Sequence, residues 1–234
     1  MSRESISLNE TSKLVLLAGA TSASGIASAT ALVDAGARVL AVGRNQDRLD
    51  ERLPFAHARY ECDLGDFAAV KQLALQVHEE HGSIDALIHL VGGWRGGKSI
   101  TGQSDEDWEF LHHSVLTTLR NTSRAFVDDL VSSPAGRLAI VSAEAVLNPT
   151  PSNANYGAIK AAAEHWVNAI ARLFAKQAEN AAAVSWVVKA LSDKSPEEAP
   201  SGHTPVQFLA QAAVDLLEQD AGEFNGARIA LPKA

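Results

Sequence analysis

The chain has 234 residues, a formal net charge of -8, 46% apolar and 21% charged residues, and one cysteine, Cys62. That balance excludes a disordered chain and gives a single domain, 1–234, room for a sizeable core, while the acidic charge argues against nucleic acid or an anionic membrane gripped by bulk electrostatics. One cysteine excludes an intrachain disulfide and a cysteine metal cluster, the first ten residues lack a signal peptide's apolar run, and no stretch nears the roughly 20 apolar residues of a membrane span, so a soluble, cytoplasmic, metal-free protein is expected.

Short apolar runs alternate with helical patterns along the chain. Residues 13–18 (KLVLLA) read as a first strand and 24–35 as a helix, with Gly36 placed to close it. A strand at 38–42 (RVLAV), a helix at 45–52 and a strand at 56–60 follow. Asp66 can cap a helix over 66–81. Next come a strand at 85–90 (DALIHL), a long helix at 105–131, a strand at 137–142 (RLAIVS) and a helix at 153–178. The last elements are a strand at 183–188 (AVSWVV), a helix at 205–219 and a strand at 227–231 (ARIAL). Several strands are apolar throughout, as strands covered on both faces are. The alternation predicts a single-domain α/β fold: a doubly wound, mostly parallel seven-stranded sheet with helices on both faces and a ligand at the strands' carboxyl ends. The segment 191–204 is irregular, either a substrate flap or a surface connection.

The turn after the first strand reads Gly19-Ala20-Thr21-Ser22-Ala23-Ser24-Gly25. Its glycines allow a sharp bend and let backbone N–H groups approach a phosphate, which the following helix N-terminus favours. A tight turn that binds nothing is the alternative. Arg44, in Gly43-Arg44-Asn45 after the second strand, offers a cationic fork for a 2′-phosphate. A surface arginine without a ligand is the other reading. Tyr156-Gly157-Ala158-Ile159-Lys160 places a phenol and an ammonium on one helix face, where the cation favours tyrosinate and eases proton donation. An ordinary helix face is the alternative. His78 and His81 are three apart rather than four, so they read as a solvated helix end, not a metal site. His112 and His113 point to different faces of their helix; one could approach a pocket, but core or interface packing is the better reading.

This order of motifs resembles the short-chain dehydrogenase/reductase family over nearly the whole chain. The turn is similar to its Gly-x3-Gly-x-Gly loop, with Ala23 at the middle position. The resemblance implies a dinucleotide held by Gly19, Thr21, Ser22, Ser24, Gly25, Ile26, Arg44, Asn45, Asp63, Leu64, Gly92 and Gly93, with NADP(H) favoured over NAD(H) by Arg44. Asp63 is the implied partner of the adenine amino group, or only a turn cap. Where the family reads Asn-Asn-Ala-Gly, this chain reads His89-Leu90-Val91-Gly92, so asparagine bracing is missing. Tyr156 is implied as proton donor, and Lys160 as the ribose ligand that lowers the Tyr156 pKa. The family's serine position, thirteen residues before Tyr156, holds Ala143, and its asparagine position holds Val115. Ser142 is adjacent, but strand side chains alternate faces, so it substitutes only where the strand bulges or ends early.

Residues 91–97 (VGGWRGG) resemble the dihydropteridine reductase branch, as do 147–151 (LNPTP) and 204–209 (TPVQFL). That branch has a small apolar residue in place of the serine. A quinonoid dihydropterin is already electron-poor and needs less polarisation, so Tyr156 and Lys160 can suffice. Trp94 and Arg95 are implied substrate neighbours, with Ser142 a further candidate; for Trp94, filling the core is an equal alternative. Arg44 replaces the branch's acidic residue and the flap is shorter, which points to a different physiological substrate. The alternatives are a reductase of another imine, quinone or activated carbonyl, and a non-catalytic NADP(H) sensor. The helices at 105–131 and 153–178 resemble the family's dimerisation helices and imply a homodimer or homotetramer acting on a small molecule.

Overall fold

The computed structural model describes residues 12–234; the first ten residues, with their lack of a signal-like run, lie outside them. Seven segments form one parallel sheet: β1 (Leu14–Ala18), β2 (Arg38–Gly43), β3 (Ala58–Glu61), β4 (Ala86–His89), β5 (Arg137–Ala143), β6 (Ala182–Val188) and β9 (Arg228–Ala230). Their order is β3-β2-β1-β4-β5-β6-β9. Every residue of β1 is buried, because helices cover both faces. Leu14, Leu16 and Ala18 join the core under α3 (Phe67–His81), α5 (Thr118–Ser132) and α6 (Ala154–Gln177). Val15 and Leu17 join the opposite core, under α1 (Ala23–Asp34) and α7 (Val206–Glu218). The chain order reverses at β1, which has β2 on one side and β4 on the other. Such a switch point opens a crevice at the carboxyl ends of the strands.

Local chemistry sets the element ends. Ser22 caps α1, Asn45 caps α2 (Gln46–Arg52) and Asp66 caps α3, each accepting from a backbone N–H of the first turn. Gly36, just past α1, sits at φ +88°, where a side chain is strained.

One expectation changes, and two segments gain detail. The helix read over 105–131 is two helices, α4 (Asp105–Leu111) and α5, joined by a wide π-helical turn at His112–Thr117. Around it the Ser114 hydroxyl donates to the Phe110 carbonyl at 2.7 Å and that of Thr118 to the Ser114 carbonyl at 2.8 Å, back-bonds of the kind that bend helices. The segment 191–204 is pinned at its base, where β7 (Leu191–Ser192) pairs with β8 (Thr204–Pro205) and the Ala234 N–H donates to the His203 carbonyl at 2.9 Å. The end of α3 is exposed at His78, Glu79 and Glu80, as read, and also makes contacts: His78 Nε2 meets Asp129 Oδ2 at 2.8 Å, and Tyr60 Oη donates to Glu80 at 2.6 Å. Among the described residues no helix is long and apolar enough to cross a membrane, and no three His, Cys, Asp or Glu residues cluster for a metal.

Candidate active site

A cavity of about 330 Å³ opens where β1, β2 and β4 end. Gly19 is held at φ +82°, and a Cβ there would fall 3.0 Å from the backbone of Leu90 and Val91. The Gly19 and Ala20 N–H groups both donate to the Val42 carbonyl at 3.1 Å, folding the loop over β2. Ser22 Oγ accepts from the Gly25 N–H at 3.0 Å and donates to the Gly19 carbonyl at 2.9 Å. A Cβ on Gly25 would lie 2.5 Å from the carbonyl oxygens of both Gly19 and Ala20. The loop therefore rests on the first turn of α1, leaving a backbone cradle at a helix N-terminus.

Of the residues read as cofactor contacts, Gly19, Thr21, Ser22, Arg44, Asp63, Leu64 and Gly92 line this cavity. The other five do not. Ser24 bonds Ser22 across 3.1 Å, Gly25 supports the loop from below, and Ile26 packs against the core beneath α1. Asn45 spends its side chain accepting from the Arg48 N–H at 2.8 Å. Gly93 lies against the Phe110 ring. Asp63 caps a turn as well, accepting from the Gly65 N–H at 2.9 Å. Arg48, in the first turn of α2, lines the cavity too. His113 also lines it, its ring so close to Gly65 that a Cβ there would collide.

Tyr156 and Lys160 stand one turn apart near the start of α6, with the Lys160 ammonium 5.8 Å from the centre of the Tyr156 ring. Lys160 is 6% exposed and donates to the Val141 carbonyl at 2.7 Å. Burial pushes its pKa down to about 8, against the opposing pull of Glu164. The expected lowering of the Tyr156 pKa is absent: burial pushes this phenol up. The ammonium spends one of its donors on a carbonyl, and desolvation of the phenolate prevails. A function that needs the ammonium should fall as pH rises through about 8, since the lysine is charged below its pKa and neutral above it. Profiles of kcat/KM against pH test this directly.

The polar residues expected around such a pair are elsewhere. The β5–β6 register runs unbroken from Arg137↔Ala182 to Ala143↔Val188, so no bulge turns Ser142 toward the cavity. Ser142 is 0% exposed and donates to Glu164 Oε1. Arg228 binds that carboxylate at 3.0 Å and the Ala143 carbonyl at 2.7 Å. Ser142 thus belongs to a buried network behind the strand end and does not reach the cavity as a substrate contact. Val115 stands beside the cavity wall: a Cβ on Gly92 would sit 3.7 Å from Val115 and 3.8 Å from the Lys160 ammonium. Trp94 does not line the cavity and lies against Gly96; it is 63% exposed, which rules out the core-filling alternative. Arg95 lies 4.2 Å over the Phe110 ring and 3.6 Å from Asp107. The Gly97 N–H donates to the Ser152 carbonyl at 2.9 Å, tying this loop to the approach to α6.

A family model described as short chain dehydrogenase matches residues 13–189. Among curated proteins, the chain is 31% identical over 157 residues to 2,3-dihydro-2,3-dihydroxybenzoate dehydrogenase of Bacillus subtilis strain 168, covering 64% of this chain and 60% of that protein. It is 28% identical over 201 residues to 3-oxoacyl-(acyl-carrier-protein) reductase of Thermotoga maritima, covering 80% and 79%. The first three curated relatives are matched over only 60%, 58% and 59% of their own lengths. Two solved structures share the fold. A short chain oxidoreductase of Pseudomonas aeruginosa PAO1, described as containing an atypical catalytic center, superposes with a TM-score of 0.79 at 18% identity, over 93% of this chain and 95% of that one. ElxO with NADP bound gives 0.82 at 15% identity, over 94% and 97%. The relatives named here are other oxidoreductases, so the dihydropteridine reductase likeness rests on the three short sequence stretches alone.

Proposed function

The chain belongs to the short chain dehydrogenase family, and from that premise we propose that it is an NADPH-dependent reductase of flat, conjugated acceptors, an imine or quinonoid ring of the dihydropterin kind. The carrying observation is the pairing of Tyr156 with Lys160, whose ammonium lies 3.8 Å from where a Cβ on the cavity-lining Gly92 would sit, while the positions of the family's serine and asparagine, Ala143 and Val115, are apolar and buried. Without a second donor to polarise a carbonyl, an acceptor that is already electron-poor is favoured.

The cleft fits the dinucleotide. The glycine loop and the α1 N-terminus present N–H groups to the pyrophosphate. Arg44 and Arg48 both line the cleft and would hold a 2′-phosphate. Asp63 and Leu64 would hold the adenine. Lys160 would hold ribose hydroxyls, and Tyr156 would give its proton to the acceptor. NADPH, when bound, supplies the hydride. Each charge-assisted arginine–phosphate contact contributes about 1.5–3 kcal/mol, so Arg44→Asp should raise the Kd for NADPH by about 10- to 100-fold and leave that for NADH within a few-fold. Fluorescence titration with both cofactors measures this.

The activity test is NADPH consumption with chemically generated quinonoid dihydropterin beside a simple ketone, with non-enzymatic reduction subtracted. Turnover should favour the quinonoid by about 100-fold or more, the scale of one missing oxyanion donor. Equal rates would remove the substrate reading. Tight NADPH binding without turnover on either would favour the sensor alternative. The reading extends to a second copy of the chain: an apolar groove between α5 and α6, bordered by Val127, Trp166, Ile170 and Leu173, suits a homodimer or homotetramer. A monomer by light scattering at micromolar concentration would remove it.

A further inference from the structure

The last residue of β4 places a polar ring beneath this site. His89 pairs with Ala18 on one side and Ile140 on the other. Strand alternation puts its side chain on the face of Leu87, toward α5 and α6. It is 3% exposed, and its Nε2 has no hydrogen-bond partner among the described residues. An unpaired buried nitrogen carries an uncompensated desolvation penalty, where the neighbouring strand positions carry aliphatic groups at no such cost. Burial first, and then the Lys160 ammonium, push the His89 pKa down to about 3. The imidazole is therefore neutral and holds one lone-pair nitrogen.

Lys160 has the complementary need. Its ammonium carries three N–H groups, of which the Val141 carbonyl takes one. The groups near Lys160 are Tyr156 and Glu164 from α6, Val141 from β5, His89 from β4 and Val115 from the turn before α5, and the Thr118 backbone at the start of α5 also faces the His89 ring. Glu164 is occupied by Ser142 and by Arg228 of β9, and Val115 offers only methyls.

We propose that His89 is a positioning residue whose Nε2 accepts, through one buried water, a hydrogen bond relayed from the Lys160 ammonium, and so fixes that ammonium beside Gly92 at the edge of the cleft. The proposal rests on the reading of Lys160 as ribose ligand. A bridging water serves nearly as well as a direct bond.

The test compares His89→Leu, which keeps bulk without the acceptor, with His89→Gln, which keeps an acceptor. NADPH affinity is titrated across pH 6–10, alongside thermal unfolding and steady-state rates. His89→Leu should move the alkaline loss of affinity down by about one pH unit and weaken NADPH binding about fivefold at pH 8, because an ammonium without its acceptor sheds its proton more readily. His89→Gln should restore most of both. A folded His89→Leu protein with the wild-type pH profile overturns the proposal, as does a His89→Gln protein that behaves like the leucine variant. Should His89→Leu not fold, imidazole 15N spectra of ligand-free wild type and Lys160→Met decide: the His89 Nε2 resonance must shift when the ammonium is removed, and an unmoved resonance overturns it. A shifted profile without turnover on any acceptor would end the reductase reading and leave His89 in place.

Discussion

Tyr156→Phe should lower kcat by about 10²- to 10⁴-fold, the range of a general acid, while the Kd for NADPH stays within a few-fold. The phenol makes no hydrogen bond to another side chain among the described residues, so removing its oxygen breaks no structural contact there. Its ring remains to pack against the core beneath α6. Burial raises its pKa, so it enters the reaction as the protonated acid, the form that a reduction consumes. Rapid-mixing measurements of NADPH oxidation, with cofactor binding followed separately by fluorescence, separate the two effects. A variant that keeps more than a tenth of wild-type kcat would mean the proton comes from elsewhere.

Gly25→Ala carries the second large effect, through the backbone. The new Cβ would sit 2.5 Å from two carbonyl oxygens, of Gly19 and Ala20. Neither is the end of a flexible side chain, so the loop itself must move. Overpacking of this kind costs about 1–3 kcal/mol, and here it falls on the loop that carries the N–H cradle. NADPH affinity should drop by about 100-fold, equivalent to roughly 2.7 kcal/mol, with the sheet retained by circular dichroism. Gly36→Ala is the control: φ is +88° but nothing lies within 4 Å of its Cβ. It should cost about 1–2 kcal/mol of stability and leave the cofactor affinity unchanged.

The strands were legible because a parallel sheet covered on both faces writes itself as apolar runs: 13–18 differs from β1 by one residue. The face of Ser142 was legible from alternation once the strand proved unbulged. The wide turn at His112–Thr117 was not, because no pattern of apolar spacing records which hydroxyls bond back to the preceding turn. The Tyr156–Lys160 pair could be read from its spacing, yet the direction of the Tyr156 shift could not. That direction depends on burial and on a lysine donor spent on Val141, and both are tertiary facts. Arg48 and His113 reach the cleft through helix geometry downstream of the motifs that pointed to it. His89 could be seen to differ from asparagine, but only the packed sheet shows that its nitrogen is buried and unpaired.

Direct hydride delivery with proton transfer from Tyr156 is tested by one single-turnover experiment. NADPH deuterated on either face of the nicotinamide C4 is mixed with the protein and quinonoid dihydropterin, and the NADP+ formed is analysed by mass spectrometry, because a deuteron delivered to a ring nitrogen of the product exchanges with water. The NADP+ should have lost its deuterium from one face only and kept it from the other, at a rate that collapses in Tyr156→Phe. Tight cofactor binding with no deuterium transferred from either face would contradict the assignment of this cleft as a reductase site.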